Sequence, residues 1–156
     1  MIQTLYKKID NKFIIRCDDF IDSKECQEFI HIFNQSRPRL FRNTYVLPHK
    51  NIKILKKLNN YFNFHNFEET NYLKGFNMEI VLWPTASLMD PHHDVGDKFS
   101  FIIYLNNNYE GGETIIDGIE IKPKVGRLII FSNGFYLHQV NKITKGKRYT
   151  LIAWYK

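Results

Sequence analysis

Residues 99–121 read FSFIIYLNNNYEGGETIIDGIEI, and this stretch carries the pattern that decides the fold. The run 99–105 is apolar on both faces, as expected for a strand that is buried on both sides. Turn chemistry interrupts the sequence at residues 106–108, 111–112 and 117–118. Between and after those turns, residues 113–116 and 119–121 are further β-like runs. The stretch therefore predicts short strands joined by tight connections.

The same pattern extends to both sides of this stretch. Upstream, residues 76–82 alternate apolar and other side chains with the two-residue period of a strand. Downstream, three more β-like runs follow at residues 128–131, 136–140 and 148–155. The turn signals between them are Pro123, Gly126, Asn133-Gly134 and Gly146. Six or more short strands at this spacing predict a sandwich, a jelly roll or a barrel.

The first third of the chain is predicted to be mainly helical. Residues 13–17 are typical of a short strand, and Asp22 with Glu25 has the spacing of a helix N-cap and its capping box. The helix that follows has one apolar face, formed by Cys26, Phe29, Ile30 and Phe33. Pro38 prevents a simple continuation, so residues 37–48 are predicted to form a loop. A second helix is predicted over about residues 51–61, with an apolar stripe formed by Ile52, Leu55 and Leu58.

Composition favours one globular domain. The chain has 156 residues, of which 44% are hydrophobic and 15% aromatic, and this excludes a wholly disordered chain. No apolar run approaches the roughly 20 residues of a membrane helix, and the first residues lack the apolar segment of a signal peptide. We therefore expect a cytoplasmic protein with no membrane partner. Cys17 and Cys26 are expected to be reduced, partly buried thiols.

The net charge of +6 is concentrated in one segment. No acidic residue lies between Glu28 and Glu68. The basic residues of that segment are Arg37, Arg39, Arg42, Lys50, Lys53, Lys56 and Lys57. A field of one sign attracts anionic partners, nucleic acid among them. The alternative is a compositional bias in which these side chains are merely solvated.

His92-His93-Asp94 is the first candidate for chemistry. On an extended backbone, residues two apart point to the same side, so His92 and Asp94 can aim at one point while His93 turns away. His138, in a later β-like run, is the candidate third ligand. Two histidines and one carboxylate form the facial triad of non-haem Fe(II) oxygenases. Taken alone, however, a His-x-Asp pair is common and His138 also fits a core histidine.

Arg148 follows His138 by ten residues and is the second candidate. The polar residues 141–146 fit a turn, so His138 and Arg148 are predicted to lie on neighbouring strands of a hairpin. An arginine inside an apolar barrel is costly unless an anion meets it, and its planar fork suits a carboxylate. The alternative is an exposed arginine on a surface hairpin.

Taken together, these residues resemble the 2-oxoglutarate/Fe(II)-dependent dioxygenases, in particular the prolyl 4-hydroxylase-like branch. The resemblance spans roughly residues 78–154. The motifs that carry it, in chain order, are His92-x-Asp94, Tyr104-Leu105-Asn106, Gly111-Gly112-Glu113-Thr114, Pro123-Lys124-x-Gly126, Phe131, His138-x-Val140 and Gly146-x-Arg148.

The resemblance implies a mainly β fold with flanking helices, namely a double-stranded β-helix of the jelly-roll or cupin-like type. It implies one domain over residues 1–156, with a helical support over about 1–70 and a barrel over about 72–156. The implied Fe(II) ligands are His92, Asp94 and His138. The implied 2-oxoglutarate residues are Arg148 and Tyr104 at the distal carboxylate, Trp83 in place of a tyrosine near the iron-side end, and Thr114 and Ile152 in the pocket wall.

The implied reaction hydroxylates an unactivated C–H bond, most simply in a protein or peptide side chain such as proline. It uses O₂ and 2-oxoglutarate, releases succinate and CO₂, and has ascorbate as a candidate reductant. The loop 37–48 resembles part of a substrate lid, with Arg37, Arg39, Arg42 and Tyr45 as candidate substrate residues. One alternative is the same chemistry on a nucleic acid or nucleotide, disfavoured because Trp154 stands where that branch has a second arginine. The other alternative is a non-catalytic binding barrel, disfavoured because every ligand residue is present.

Overall fold

The computed structural model describes residues 2–10, 12–64, 76–96 and 98–155. Its helices are Ser23–Gln35 (α1) and Ile52–Phe64 (α2). Its strands are Ile2–Ile9 (β1), Lys12–Asp18 (β2), Arg39–Phe41 (β3), Thr44–Pro48 (β4), Phe76–Trp83 (β5), Met89–His92 (β6), Phe99–Tyr104 (β7), Glu110–Gly111 (β8), Thr114–Ile116 (β9), Ile119–Ile121 (β10), Leu128–Ser132 (β11), His138–Val140 (β12), Ile143–Lys145 (β13) and Arg148–Tyr155 (β14).

The strands pair antiparallel in three sheets. The largest has eight strands in the order β1-β2-β11-β7-β14-β5-β4-β3, and a smaller one has the order β10-β9-β12-β6. Strands β13 and β8 form a third, two-stranded sheet. This is the predicted double-stranded β-helix with flanking helices, so the predicted fold class is confirmed.

The outer face of the eight-stranded sheet packs against both helices. Its side chains alternate along each strand, so that Ile80, Ile103 and Leu151 face the helices and are almost fully buried. Helix α1 adds the apolar face predicted for it, and its N-terminus has the predicted capping box between Asp22 and Glu25. Burying each such aliphatic side chain contributes about 1.5–3 kcal/mol.

Helix α2 also packs there, but its stripe differs from the prediction. Ile54, Leu58 and Tyr61 are buried against the sheet, whereas Ile52 is 63% exposed. Ile52 lies in the first turn, where the side chain of Asn51 accepts a hydrogen bond from the backbone N–H of Ile54.

The inner face of the large sheet meets the four-stranded sheet. One interior cluster contains Ile102, Tyr104 and Phe131 of the large sheet and Ile116 of the small one. A second interior cluster is formed by Val46, Val81, Trp83, Val140 and Ile143. These clusters are the inside of the barrel, and the candidate site lies among them.

The N-terminal region is less helical than predicted. The prediction of a loop over residues 37–48 is wrong, because β3 and β4 form a hairpin that extends the large sheet beside β5. Strand β1 was not predicted, and it pairs with β2 at the opposite edge. The one-domain division, with a barrel from about residue 72, stays a prediction, since residues 65–75 lie outside the described residues.

Two smaller expectations concern the thiols and the membrane. Cys17 and Cys26 are free and fully buried, as predicted for reduced thiols. Within the residues that the structure describes, no helix is both long enough and apolar enough to cross a membrane.

Candidate active site

His92, Asp94 and His138 converge at one end of the barrel. His138 begins β12 and lies directly opposite His92, the last residue of β6. The Nε2 atoms of both histidines lie 3.6 Å from carboxylate oxygens of Asp94. One ligand atom from each residue lies within 4.8 Å of the others. The donor set and its spacing fit one face of a six-coordinate Fe(II) ion, while His93 is exposed, as predicted.

Backbone carbonyls orient the two imidazoles. The Nδ1 atom of His92 lies 2.8 Å from the carbonyl oxygen of Asp90, and Nδ1 of His138 lies 3.4 Å from that of Tyr136. With a proton on each Nδ1, both Nε2 lone pairs face the carboxylate and are available to a metal. Burial lowers the pKa of His138, with Asp94 opposing part of the shift, which favours the neutral, metal-binding imidazole.

Two side chains for which we had not predicted this role donate hydrogen bonds to the carboxylate of Asp94. The Ser100 hydroxyl donates to Oδ2 of Asp94 at 2.6 Å, and the indole Nε1–H of Trp154 donates to the same oxygen at 3.1 Å. Ser100 and Trp154 lie opposite each other on β7 and β14, so both reach Asp94 from the same wall of the barrel. Their hydrogen bonds occupy Oδ2 and leave Oδ1 for a metal.

Arg148 is fully buried inside the barrel. Its Nη2 donates to the Thr114 hydroxyl at 3.0 Å, and its guanidinium lies over the rings of Trp83 and Tyr104 at 4.9 and 5.4 Å. Its Nε and Nη1 are buried and have no hydrogen-bond partner among the described residues. A buried cation with free donors is costly unless an anion pairs with it, so this pocket fits a carboxylate such as the distal one of 2-oxoglutarate.

The prediction that His138 and Arg148 lie on neighbouring strands of a hairpin is wrong. His138 belongs to the four-stranded sheet and Arg148 to the eight-stranded sheet. Residues 143–145 do not form a simple turn, because they make their own strand, β13, which pairs with β8. Arg148 therefore approaches the small sheet from across the barrel, where its guanidinium reaches Thr114 of β9.

The register of β9 and β12 sets the distance between Thr114, which contacts Arg148, and the candidate metal ligand His138. Thr114 pairs with Val140, and Ile116 pairs with His138. Thr114 thus lies two residues along the sheet from the position opposite His138, roughly 7 Å at the usual rise of a strand. This spacing suits a short dicarboxylate with one end at the metal and the other at Arg148.

Two of the other predicted pocket residues, Tyr104 and Trp83, lie beside the guanidinium. The Tyr104 hydroxyl donates to Thr114 Oγ1 at 2.7 Å. The indole N–H of Trp83 donates to the Thr150 hydroxyl at 3.2 Å, so this donor is already engaged inside the protein. Ile152 packs against the interior cluster that contains Trp83.

Two clefts are bordered by the β3–β4 hairpin, and one of them contains a candidate metal ligand. A cleft of about 640 Å³, the first cleft, is lined by Arg39 and Phe41 of the hairpin and by Trp154. A cleft of about 370 Å³, the second cleft, is lined by Arg42 and by the metal-ligand candidate His92. Both arginines also lie over the Phe41 ring, at 5.9 and 5.5 Å. Of the predicted substrate residues, Arg39 and Arg42 therefore line these clefts.

The other two predicted substrate residues, Arg37 and Tyr45, line neither of these clefts. Tyr45 pairs with Leu40 and Leu82, on the face of the hairpin opposite to Arg39. Arg39 itself forms an ion pair with Glu79, with 3.3 Å between Nη2 and Oε1. The hairpin thus divides its side chains between the clefts and the outer surface.

Comparison with known proteins agrees with this geometry. Residues 78–156 match the family model described as the 2OG-Fe(II) oxygenase superfamily. Prolyl 3-hydroxylase 2 of Homo sapiens is 40% identical over 65 residues, covering 36% of this chain and 9% of that protein. The same protein of Rattus norvegicus is 37% identical over 65 residues, with the same coverage. The chain thus corresponds to less than a tenth of the length of these curated relatives.

Two solved structures share the fold. A Pseudomonas putida prolyl-4-hydroxylase superposes with a TM-score of 0.77 at 16% identity, covering 92% of this chain and 91% of that one. The viral collagen prolyl hydroxylase of Paramecium Bursaria Chlorella virus-1 gives a TM-score of 0.69 at 18% identity, covering 90% of this chain and 93% of that one. The family match spans more than half of the 156 residues, and the chain therefore belongs to the 2OG-Fe(II) oxygenase superfamily.

Proposed function

We propose that this chain is an Fe(II)- and 2-oxoglutarate-dependent hydroxylase of a protein or peptide side chain, most simply a prolyl side chain. Succinate and CO₂ are its co-products, and ascorbate is a candidate reductant. The observation that carries the proposal is the buried Arg148, with two free donors, on the far side of the same barrel interior as the His92, Asp94 and His138 triad. A buried cation without an anionic partner destabilises the fold, so its presence favours a barrel that binds an anionic ligand.

Each part of the site has a separate task in this reaction. When bound, Fe(II) with 2-oxoglutarate and O₂ supplies the oxidising power that breaks the C–H bond. His92, Asp94 and His138 hold the metal on one face and leave positions open on the other. Arg148 binds the distal carboxylate, and the rings of Trp83 and Tyr104 beside its guanidinium exclude water from that ion pair.

The substrate is proposed to bind along the two clefts at the β3–β4 hairpin. The second cleft is lined by His92, and the first is lined by Trp154, whose indole donates to Asp94. In the first cleft, Arg39 is paired with Glu79, and Lys50 adds a further positive charge. Arg42 lines the second cleft together with Asp90. We expect the two arginines to favour a peptide with an acidic residue near the modified one. The prolyl hydroxylase names of the similar proteins support a peptide rather than a nucleic acid.

The basic segment gives less support to a nucleic acid than its composition suggested. Lys53 and Lys57 of α2 both pair with Glu25 of α1, with N–O distances of 2.9 and 3.0 Å. Glu25 therefore offsets one of these two positive charges within the protein, which reduces the charge presented to an anionic polymer.

Metal binding is tested with two neighbouring histidines. His92→Ala is expected to abolish binding of Co(II), a spectroscopic substitute for Fe(II), whereas His93→Ala is expected to retain it. Anaerobic titration followed by visible absorption measures both. Equal binding by the two variants would contradict the assignment of the triad.

Activity is tested by mass spectrometry of proline-containing peptides after incubation with Fe(II), 2-oxoglutarate and ascorbate. We expect a gain of one oxygen that requires 2-oxoglutarate, and a preference for peptides with an acidic flanking residue. Arg39→Ala and Arg42→Ala should lose that preference, whereas the matched variant Arg37→Ala should keep it. Oxidation of an oligonucleotide, with none of the peptides, would show that the substrate class is wrong.

A further inference from the structure

Strand β3 forms a free edge of the large sheet. It is the last of the eight strands, so one side of its backbone pairs with β4 and the other side pairs with no strand among the described residues. The three residues of β3 are all exposed. An exposed sheet edge is a template on which the backbone of another extended segment can pair.

The hairpin turn determines which backbone groups of β3 face this edge. The turn has two residues, so Phe41 and its partner Thr44 form the hydrogen-bonded pair next to it. Leu40 and Tyr45 are then a non-hydrogen-bonded pair, and the N–H and C=O of Leu40 point away from β4. Pro38, two residues earlier, has no N–H to donate. Leu40 is therefore the residue that offers both a donor and an acceptor to an added strand.

The side chains around this edge combine an apolar face with a basic one. Leu40 and Tyr45 pair on one face of the hairpin, where they are 65% and 40% exposed. On the other face, Arg39 and Phe41 line the first cleft, and Arg42 beside them lines the second. Side chains of an added strand alternate in the same way. Such a strand therefore needs an apolar residue opposite Leu40 and, on each side of it, an acidic residue facing the arginines.

Both arginines have the capacity to bind an acidic partner. Nη2 of Arg39 lies 3.3 Å from Glu79, but 62% of the Arg39 side chain remains exposed. Arg42 forms no salt bridge within the described part of the chain, and its Nη1 contacts Sδ of Met89 at 3.3 Å. A carboxylate that approaches the edge from solvent thus meets two accessible guanidinium groups.

The opposite edge of the same sheet is protected against strand pairing. Strand β1 has a bulge between Leu5 and Lys7, and a second lysine, Lys8, follows directly. Bulges and lysines are features that prevent edge strands from pairing with other chains. In β3, which has no bulge, the exposed apolar residues Leu40 and Phe41 occupy the edge. Of the two edges, β3 is therefore the one suited to pairing.

The tip of the hairpin connects this edge to the candidate metal ligand His92. The side-chain amide of Asn43 donates to the carbonyl oxygen of Leu88 at 3.1 Å, just before β6. Arg42 lines the second cleft together with His92. A segment that is bound along β3 and continues past the tip therefore enters the cleft that contains His92.

We propose that β3 binds an extended segment of the peptide substrate by strand addition, with an apolar residue opposite Leu40 and acidic residues on both sides of it. This inference rests on the proposed peptide substrate and gives it a mode of docking and a motif. A second copy of this chain is a poorer occupant, because pairing β3 with its own copy brings Arg39 and Arg42 of both copies together.

The test uses peptides that differ by one methyl group on the backbone. Each fluorescent peptide contains one proline, a Glu-Val-Glu segment on either side of it and a spacer of one to four glycines between them, and fluorescence anisotropy measures the Kd for the Mn(II)-loaded protein. In the tightest-binding peptide, N-methylation of the valine removes the N–H that pairs with Leu40 and should raise the Kd about tenfold. N-methylation of either glutamate, whose N–H points away from β3, should change the Kd by less than about twofold.

Leu40→Pro and Leu40→Ala provide the matched test on the protein. Both remove the leucine side chain, but only Leu40→Pro removes the N–H, which β4 does not use. We expect Leu40→Pro to raise the Kd of the parent peptide about tenfold relative to Leu40→Ala. N-methylation of the valine should then have little further effect, because the same pair of hydrogen bonds is already lost. Both variants should still bind Co(II), which shows that the barrel is folded.

Equal effects of N-methylation at valine and at glutamate would overturn the proposal, as would equal binding by the two variants or failure of every peptide to bind. A dimer of the unmodified protein that Leu40→Pro dissociates would also overturn it and assign the edge to a second copy. Mass spectrometry of the same peptides separates this proposal from the proposed function. Oxidation without the expected pattern of binding would overturn the docking mode alone, whereas the pattern without oxidation would overturn the proposed reaction and leave the docking mode intact.

Discussion

Replacing Trp154 by phenylalanine removes one hydrogen bond to a metal ligand and little else. The indole N–H of Trp154 donates to Oδ2 of Asp94 at 3.1 Å, beside the 2.6 Å hydrogen bond from Ser100. Phenylalanine keeps an aromatic ring in the same wall but cannot donate. With one donor left, Asp94 is held less firmly in the orientation that offers Oδ1 to the metal.

The size of the effect follows from the charge and the burial of Asp94. A hydrogen bond to a charged acceptor contributes about 1.5–3 kcal/mol. The Asp94 side chain is 20% exposed and keeps the Ser100 hydrogen bond, so the lower end applies. We expect the Kd for a divalent metal to rise about tenfold in Trp154→Phe, in the range usual for residues that support a metal ligand.

Anaerobic titration with Co(II), without substrate, separates this effect from changes in the first cleft, which Trp154 also lines. Tyr149→Phe is the matched control, because Tyr149 lies on the same strand and its hydroxyl donates to Asn34 on the outer face, at 3.2 Å. That variant should keep the metal affinity of the unmodified protein. If both variants bind Co(II) equally well, the indole does not hold Asp94 and the reasoning fails.

Three further substitutions test Arg148, the glycine pair Gly111-Gly112 and the contact between the two helices. Arg148→Met should raise the Kd of 2-oxoglutarate by about a hundredfold or more, as measured by calorimetry. The melting temperature in thermal unfolding should stay unchanged or rise, because the substitution removes a buried, incompletely paired charge. A lower melting temperature would show that the charge stabilises the apoprotein. Gly112→Ala should lower the unfolding free energy by roughly 1–3 kcal/mol in urea titrations, because its Cβ would overlap Ile143 and φ is +69°; an unchanged midpoint would contradict this. Burial alone would raise the pKa of Glu25, but hydrogen bonds from two lysines of α2 outweigh it and lower the pKa to about 2. The stability that Glu25 contributes is therefore complete above its usual pKa of 4.5 and lost as the pH falls toward 2. Because the lysines are partly exposed, we expect acid to lower the unfolding free energy of the unmodified protein by only about 1–2 kcal/mol more than that of Glu25→Gln. Equal pH profiles of the unfolding free energy would refute this expectation.

The convergence of the candidate metal ligands could be predicted in part because the signal of His92 and Asp94 is local. His92 and Asp94 are two residues apart, and strand geometry alone directs both to one side. His138 and Arg148 were candidates from the sequence that the resemblance then strengthened, and the structure buries both. The supposed hairpin between His138 and Arg148 was wrong because β13 pairs with β8, some thirty residues earlier in the chain, and no local pattern shows such a partner.

Ser100 and Trp154 were missed for a related reason. Neither residue type is a metal ligand, and they become neighbours only through the register of β7 and β14. The β3–β4 hairpin was missed because its partner β5 begins almost thirty residues later.

Strand β14 shows why the site and the core cannot vary independently. Its inward residues, in order, are the carboxylate anchor Arg148, then Thr150 and Ile152, and finally Trp154, which holds Asp94 and lines the first cleft. The residues between them, from Tyr149 to Tyr155, face the helices and are buried. A shift of one residue in its pairing with β5 or β7 would exchange the two faces. Such a shift would expose the core and, in the same step, remove the carboxylate anchor and the support of the metal ligand, so the packing that stabilises the barrel also fixes the order of the site.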